Sequence, residues 1–298
     1  MKKSKYFMLL IIGVMAVAAF TVSAEDQFES IQINQGIFEP VDSSGPFPII
    51  GFAFADSPTV EISRMVILME AGDRLNLNVT NNDSEPHGFK WAFEEDGIEI
   101  MPDDTVKITF EPSAPGAYPF IDGTDYPFNV ARGLSGAVIV KEPEDTARDF
   151  VWFLNDHDVE WLNALANGDS VTSSSYLADY FTINGFSYPD TLQDSRGAVT
   201  GKVNEPINIW VVNGGLQAHS IHFHGYHINI LSKNGDPYPQ PYSKDTFPVK
   251  PGEGLHTRLI PFQPGKFPVH DHSLTAVTAK GFYPNGMMLL LNITEGGN

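Results

Sequence analysis

Pro264-Gly265-Lys266-Phe267-Pro268-Val269-His270-Asp271-His272 aligns without gaps on Pro115-Gly116-Ala117-Tyr118-Pro119-Phe120-Ile121-Asp122-Gly123. Each copy opens on a Pro-Gly turn and runs into a short strand-forming segment. Outward from this pair the likeness continues. Pro102 to Pro115-Gly116 and Pro251 to Pro264-Gly265 enclose strands of identical length. Val79-Thr80-Asn81 is followed by His87, and Val211-Val212-Asn213 by His219, each six residues after the Asn. Gly136-Ala137-Val138-Ile139-Val140 parallels Gly286-Met287-Met288-Leu289-Leu290. Anchors repeated in the same order mark a duplicated unit. The chain is therefore expected to be all-β, with two tandem β-sandwich domains over residues 25–143 and 149–298. The charged, Pro-containing stretch Lys141–Arg148 is the expected linker.

The rest of the body fits. Alternating runs such as Arg74-Leu75-Asn76-Leu77-Asn78-Val79 and Ile207-Asn208-Ile209-Trp210-Val211-Val212 read as half-buried strands. The 26 Gly and 22 Pro in 298 residues supply many turns. The one plausible helix of the body lies near Asp158–Ala166. Eighteen basic residues face 37 acidic ones, a net charge of -19, which argues against binding phosphate backbones or anionic membrane surfaces. The chain has no cysteine, so disulfides, cysteine nucleophiles, iron–sulfur clusters and thiolate-held zinc or copper are excluded. Residues 1–24 place Lys2, Lys3 and Lys5 before an apolar run ending near Phe20, then Val22-Ser23-Ala24. That pattern predicts a cleaved secretory signal peptide, hence a secreted, periplasmic or cell-surface protein that leaves the membrane once cleaved.

Seven of the nine histidines lie between His219 and His272, and four form the pairs His222/His224 and His270/His272. Residues two apart on a strand share a face, about 7 Å apart along it. Two such pairs on neighbouring strands bring four imidazoles together. Without thiolates, an all-histidine site suits copper, with zinc as the alternative. His227 and His256 read as surface or hydrogen-bonded histidines, and His157, among acids in Asn155-Asp156-His157-Asp158, as a turn residue.

These residues resemble a known family. His219-Ser220-Ile221-His222-Phe223-His224-Gly225 resembles the His-x-x-His-x-His-Gly motif of the last cupredoxin domain of multicopper oxidases. Asp179 to Gly185 (DYFTING) resembles their Ile-Asn-Gly segment, Gly265 to His272 their His-Cys-His segment, and Tyr283 to Met288 (YPNGMM) the Pro-Gly-Gly-Met-Met run of two-domain members. The likeness covers nearly all of residues 150–298 and, more loosely, 50–143. It implies tandem cupredoxin-like Greek-key sandwiches as in two-domain laccases and copper nitrite reductases, and a homotrimer with metal between neighbouring chains.

The departures from the family pattern are specific. A type 1 copper there takes Cys, two His and usually Met. Here Asp271 stands at the Cys position and Ala276 at the second His, leaving His219 and Met287. Domain 1 has His87 and Asp122 at the matching places. Its counterparts of the two His-x-His pairs are Lys90, Ala92, Ile121 and Gly123, so it is expected to supply no metal ligand. The family's electron entry port is thus expected to be missing, and a full three-copper cluster with it. The pairs His87–Asp122 and His219–Asp271 are expected to meet directly as buried ion pairs in place of copper, with Asp271 bracing the ligand strand. The expected function is that of an exported oxidoreductase with a type 2 or type 3-like copper site at His222, His224, His270 and His272, acting on a small molecule. The alternative is a non-catalytic exported copper or zinc binder serving a metal donor or acceptor. A nitrite reductase would need a histidine ligand from domain 1, and none is present.

Overall fold

A computed structural model describes residues 24–40, 45–57, 59–61 and 64–296. The expected signal peptide lies outside the described residues, apart from Ala24. Nine strands fall between residues 26 and 141: β1 (Asp26–Phe38), β2 (Phe47–Phe54), β3 (Val66–Glu70), β4 (Arg74–Asn81), β5 (His87–Trp91), β6 (Ile98–Ile100), β7 (Thr105–Phe110), β8 (Gly116–Ile121) and β9 (Ser135–Lys141). Eleven more fall between 148 and 294: β10 (Arg148–His157), β11 (Tyr180–Ile183), β12 (Thr200–Lys202), β13 (Ile207–Asn213), β14 (His219–Phe223), β15 (Ile228–Lys233), β16 (Asp236–Lys244), β17 (Thr246–Val249), β18 (Gly254–Leu259), β19 (Gly265–Asp271) and β20 (Met288–Thr294).

The first set forms sheets of order β2-β1-β4-β7 and β3-β9-β8-β5-β6. The second forms β11-β10-β13-β18-β15-β16 and β12-β20-β19-β14-β17. The duplication shows in the pairing itself. β1 lies parallel to β4 as β10 does to β13, and β5 and β8 pair antiparallel as β14 and β19 do. Even the side-chain brackets repeat. Asn81 Nδ2 donates to the carbonyls of Glu85 and Ile100, and Asn213 Nδ2 to those of Gln217 and Val249, so each Asn ties its strand end to the loop that precedes its histidine.

Each sandwich buries its own core. In the first, Phe52, Phe89, Trp91 and Phe120 interlock edge-on or stacked. In the second, Trp152 stacks on Phe223 at 5.5 Å among Leu154, Phe181, Ile221 and Leu291. Burying each such side chain is worth roughly 2 kcal/mol. A third cluster of Ala117, Ala137, Ile139, Phe153, Trp210 and Val212 joins the two halves. There the backbone of Gly254 lies against the carbonyl of Ala117, with no room for a Cβ. The segment between the domains is pinned: Asp149 takes Lys141 Nζ at 2.5 Å and Trp210 Nε1 at 2.8 Å, and Asp145 pairs with Arg258.

The expected helix forms as α2 (Val159–Ala166), capped by Asp158, whose side chain accepts from Trp161 N. A short helix not expected from the sequence, α1 (Phe128–Arg132), ends on left-handed Gly133. Its five residues are too few to show a helical period. Among the described residues, no helix is long and apolar enough to cross a membrane.

Candidate metal centre

β14 and β19 are hydrogen-bonded neighbours, and their register sets His222 opposite His270. His224 and His272 follow one residue beyond the ends of these strands, on the same face. The four rings gather at the surface. His222 lies 4.8 Å from His224, 5.6 Å from His270 and 5.4 Å from His272, centroid to centroid. His224 Nε2 stands 3.1 Å from His270 Nε2. His222 and His270 are half-buried, and His224 and His272 are exposed.

Neighbours hold both inner rings, and for His270 they also set which nitrogen is offered. His270 Nδ1 donates to the carbonyl of Asp271 at 2.7 Å, which leaves Nε2 as the lone-pair atom. His222 Nδ1 is held by Thr246 Oγ1 at 2.7 Å, turning Nε2 outward from that bond. Such outer hydrogen bonds orient metal-binding imidazoles and raise their basicity. Burial lowers the His224 pKa, and the neighbouring His222 and His270 lower it further, favouring the neutral ligand form. The donor set is therefore chemically suited to copper or zinc. Among the described residues, however, no three His, Asp or Glu side chains are disposed to hold one ion within a single chain.

Behind it lies the position that a type 1 copper would need. His219 Nδ1 meets Asp271 Oδ2 at 2.6 Å, and its Nε2 faces Asp156 Oδ2 at 3.4 Å, an ion-pair distance. All three side chains are buried. Burial pushes the His219 pKa down, but Asp156 and Asp271 outweigh it and raise it to about 9. Burial alone would raise the Asp156 carboxyl, and His219 with the Gln217 amide brings it below the ordinary value. The ring is an imidazolium held between two carboxylates. Asp271 Oδ1 also accepts from Ser220 N and Ser273 N, tying β14 to the turn after β19 and setting the ligand strand. With no thiolate and this triad filling the space, the residues do not fit a type 1 copper. Met287 is fully buried, and its carbonyl accepts from Asp271 N.

Domain 1 repeats the device. His87 Nδ1 meets Asp122 Oδ2 at 2.8 Å and its Nε2 meets Asp83 Oδ2 at 2.9 Å. Burial again opposes, and the two carboxylates still raise the His87 pKa. The second carboxylate comes from a different place in each domain. Asp83 follows Asn81 in the loop, whereas Gly215 follows Asn213, and a Cβ on Gly215 would collide with Asp156, which enters from β10 instead. Asp83 was findable four residues before His87. Asp156 was not, because only the parallel pairing of β10 with β13 brings it beside His219.

The remaining histidines divide. His227 is exposed. His256 stacks on Trp210 at 3.9 Å and bonds Asn208 at 3.2 Å. His157 is not the turn residue its acidic neighbours imply. It ends β10 and is buried against Phe38 and Phe47, because Asp156 and Asp158 turn away to His219 and to the cap of α2.

Residues 167–294 match the family model described as multicopper oxidase. A blue copper oxidase from Nitrosomonas europaea shares 25% identity at a TM-score of 0.77, over 90% of this chain and 86% of that one. The multicopper oxidase mgLAC gives 24% and 0.76, over 91% and 86%. A copper nitrite reductase from Nitrosomonas europaea gives 20% and 0.69, over 91% and 94%. No curated protein sequence matches the chain. The cupredoxin-like sandwich expected from the resemblance is the fold shared with these structures, and multicopper oxidases and copper nitrite reductases bind copper.

Proposed function

From a chain whose second domain carries the multicopper oxidase pattern, we infer an exported copper-dependent oxidoreductase of that kind. On this reading its copper site has type 2 or type 3 character and, with no cysteine in the chain, type 1 copper is missing. His222, His224, His270 and His272 would hold the copper. The observation that carries this reading is the 3.1 Å approach of His224 and His270, beside an imidazolium–carboxylate triad where type 1 copper would sit. Bound copper would supply one-electron redox chemistry and Lewis acidity at an open position. The chain's own groups do the rest. Thr246 orients the His222 ring, and the Asp271 carbonyl holds His270 in the tautomer that leaves Nε2 free. Asp271 couples the ligand strand to His219 and so to the core. The two exposed rings leave the face open to a small molecule and to a reductant that must reach the metal directly. A second copy of the chain would close that face, and we take the assembly to be a homotrimer.

The alternative is a non-catalytic exported copper or zinc binder. It is favoured by the absence of cysteine, and so of the thiolate that the family's electron entry port needs. Metal content of the mature protein exposed to copper and zinc together, against His222→Ala/His270→Ala, tests both. One tight copper or more per chain, lost in the double variant, with a paramagnetic signal and no blue-copper absorption, supports the copper site. Turnover of a small reductant by that protein then separates enzyme from binder. No stoichiometric metal would sink both.

A further inference from the structure

β18 carries a histidine that the metal face does not use. His256 stands opposite Trp210 of β13 and Ser232 of β15, so the three side chains share the face of the sheet that is turned toward domain 1. Its tautomer is set by its neighbours. Asn208 Nδ2 donates to Asp145 and Asp149, so Asn208 Oδ1 is the acceptor, and His256 Nε2, 3.2 Å away, must carry the proton. The lone pair is left on Nδ1, and the Nε2 bond is the ring's one hydrogen bond among the described residues. The ring is 7% exposed, and burial with the adjacent Arg258 lowers its pKa to about 4, which keeps that lone pair bare.

His256 lines a cavity of about 430 Å³ between the interdomain linker and domain 2. Pro115, Leu231 and Pro237 give it apolar edges. Asp145 and Arg258 also line it, but they are spent on each other, and Asp145 further accepts from Asn208 and Ala147 N. Glu142 and Glu144 remain, both exposed and without an ion-pair partner among the described residues. The volume falls in the usual range of about 300–1,000 Å³ for small ligands. A complementary guest brings positive charge for the two glutamates, an N–H for the imidazole lone pair and a short apolar body. A metal ion does not fit, since among the described residues no three His, Asp or Glu side chains gather to hold one. The cavity is not part of the histidine face or of its domain 1 counterpart. Pro115 stands just before β8, whereas Ile121, the counterpart of His270, ends that strand about 20 Å further on.

We propose that this linker cavity binds a short primary alkylammonium, its N–H groups on His256 Nδ1 and on the Glu142 and Glu144 carboxylates, its chain against Leu231 and Pro237.

Calorimetric titration of the mature protein, as it assembles, with butylammonium tests it. Butanol, which lacks the charge, and butyltrimethylammonium, which keeps the charge but has no N–H, are the comparisons. Saturable one-site binding is expected, about tenfold weaker for each comparison. Glu142→Gln/Glu144→Gln, at two exposed positions, should weaken it about tenfold as well. His256→Phe keeps a ring on Trp210 but removes Nδ1, and should do the same. In histidine-labelled protein, the Nδ1 resonance that this variant loses should move on titration of the parent. His222→Ala/His270→Ala should bind as the parent does. Equal binding of butyltrimethylammonium would mean attraction to the net charge of -19 alone and would overturn the proposal. So would binding that survives the double Gln variant, an unmoved Nδ1 resonance, binding lost with the metal-face histidines, or no saturable binding at millimolar butylammonium.

Discussion

The two domains hold the same histidine in the same cage, yet reach the cage by different routes. In domain 1 the carboxylates around His87 are Asp122 and a loop residue, Asp83. In domain 2 they are Asp271 and Asp156 from the neighbouring strand, and Gly215 sits where the loop carboxylate would be. The strand position matching Asp156 is Gln35, which donates to Asp83 at 2.5 Å. One carboxylate and one small or neutral partner are present each time, with places exchanged. The geometry is kept while the residue positions move, so the cage itself is what both domains need for stability. The faces in front of the cages have diverged instead, four imidazoles in one domain and Lys90, Ala92, Ile121 and Gly123 in the other.

The largest expected effect comes from forcing one solution onto the other. Gly215→Asp puts a second carboxylate and its Cβ into the Asp156 site, and should destabilise the chain by roughly 3–5 kcal/mol in urea unfolding. Adding Asp156→Gln recreates the domain 1 arrangement and should recover most of that loss. A double variant no more stable than the single one would break the equivalence. Next, Asp122→Ala and Asp271→Ala each leave a buried imidazolium short of a partner, at a cost of about 3 kcal/mol or more. Asp122 should cost more, since it accepts three further bonds, from Thr124 N, Thr124 Oγ1 and Asn129 Nδ2, against the two that Asp271 takes from Ser220 N and Ser273 N.

Titration separates the caged histidines from the uncaged ones. His219 is raised to about 9 and His87 is raised too. Their contribution is complete below the unfolded value near 6.5 and is lost as pH rises through the raised folded values, about 9 for His219. His157 and His256 are lowered to about 4, chiefly by burial. Theirs is present above the unfolded value and lost as pH falls toward 4. Melting temperature should therefore peak near neutral pH and fall by roughly 5 °C on either side. His157→Phe should flatten only the acid limb. The smallest effect is expected at the metal face. In the metal-free chain, His222→Ala/His270→Ala should change stability by about 0.5 kcal/mol or less, since these side chains sit at the surface. A large loss would mean that the histidines build the fold rather than serve a ligand.

Much of this was legible in the residues. The Pro-Gly frames and the six-residue step from Asn to His repeat because strand length and register repeat, and these are local. The pairs His87–Asp122 and His219–Asp271 could be anticipated because, in the family the chain resembles, those two positions meet at one metal, and both repeats keep the His and carry Asp in place of Cys. Asp83 carried a local signal, four residues before His87, but Asp156 and the choice between the two did not. Their roles depend on which side chain fills a shared space, and that is settled across the sheet rather than along the chain. His157 was misread because a run of acids looks solvated until each acid is seen to have its own buried errand.

The seam between the domains bears on rates. With Gly254 against the Ala117 carbonyl and Asp145 and Asp149 clamped from β13 and β18, the halves have no hinge to swing on. Arrival at the exposed His224 and His272 is then not gated by domain opening. On the proposed copper reading, loading of the unassembled chain there should follow simple second-order kinetics, scaling with solvent viscosity and ion concentration, without the saturating lag that a closing cleft would impose.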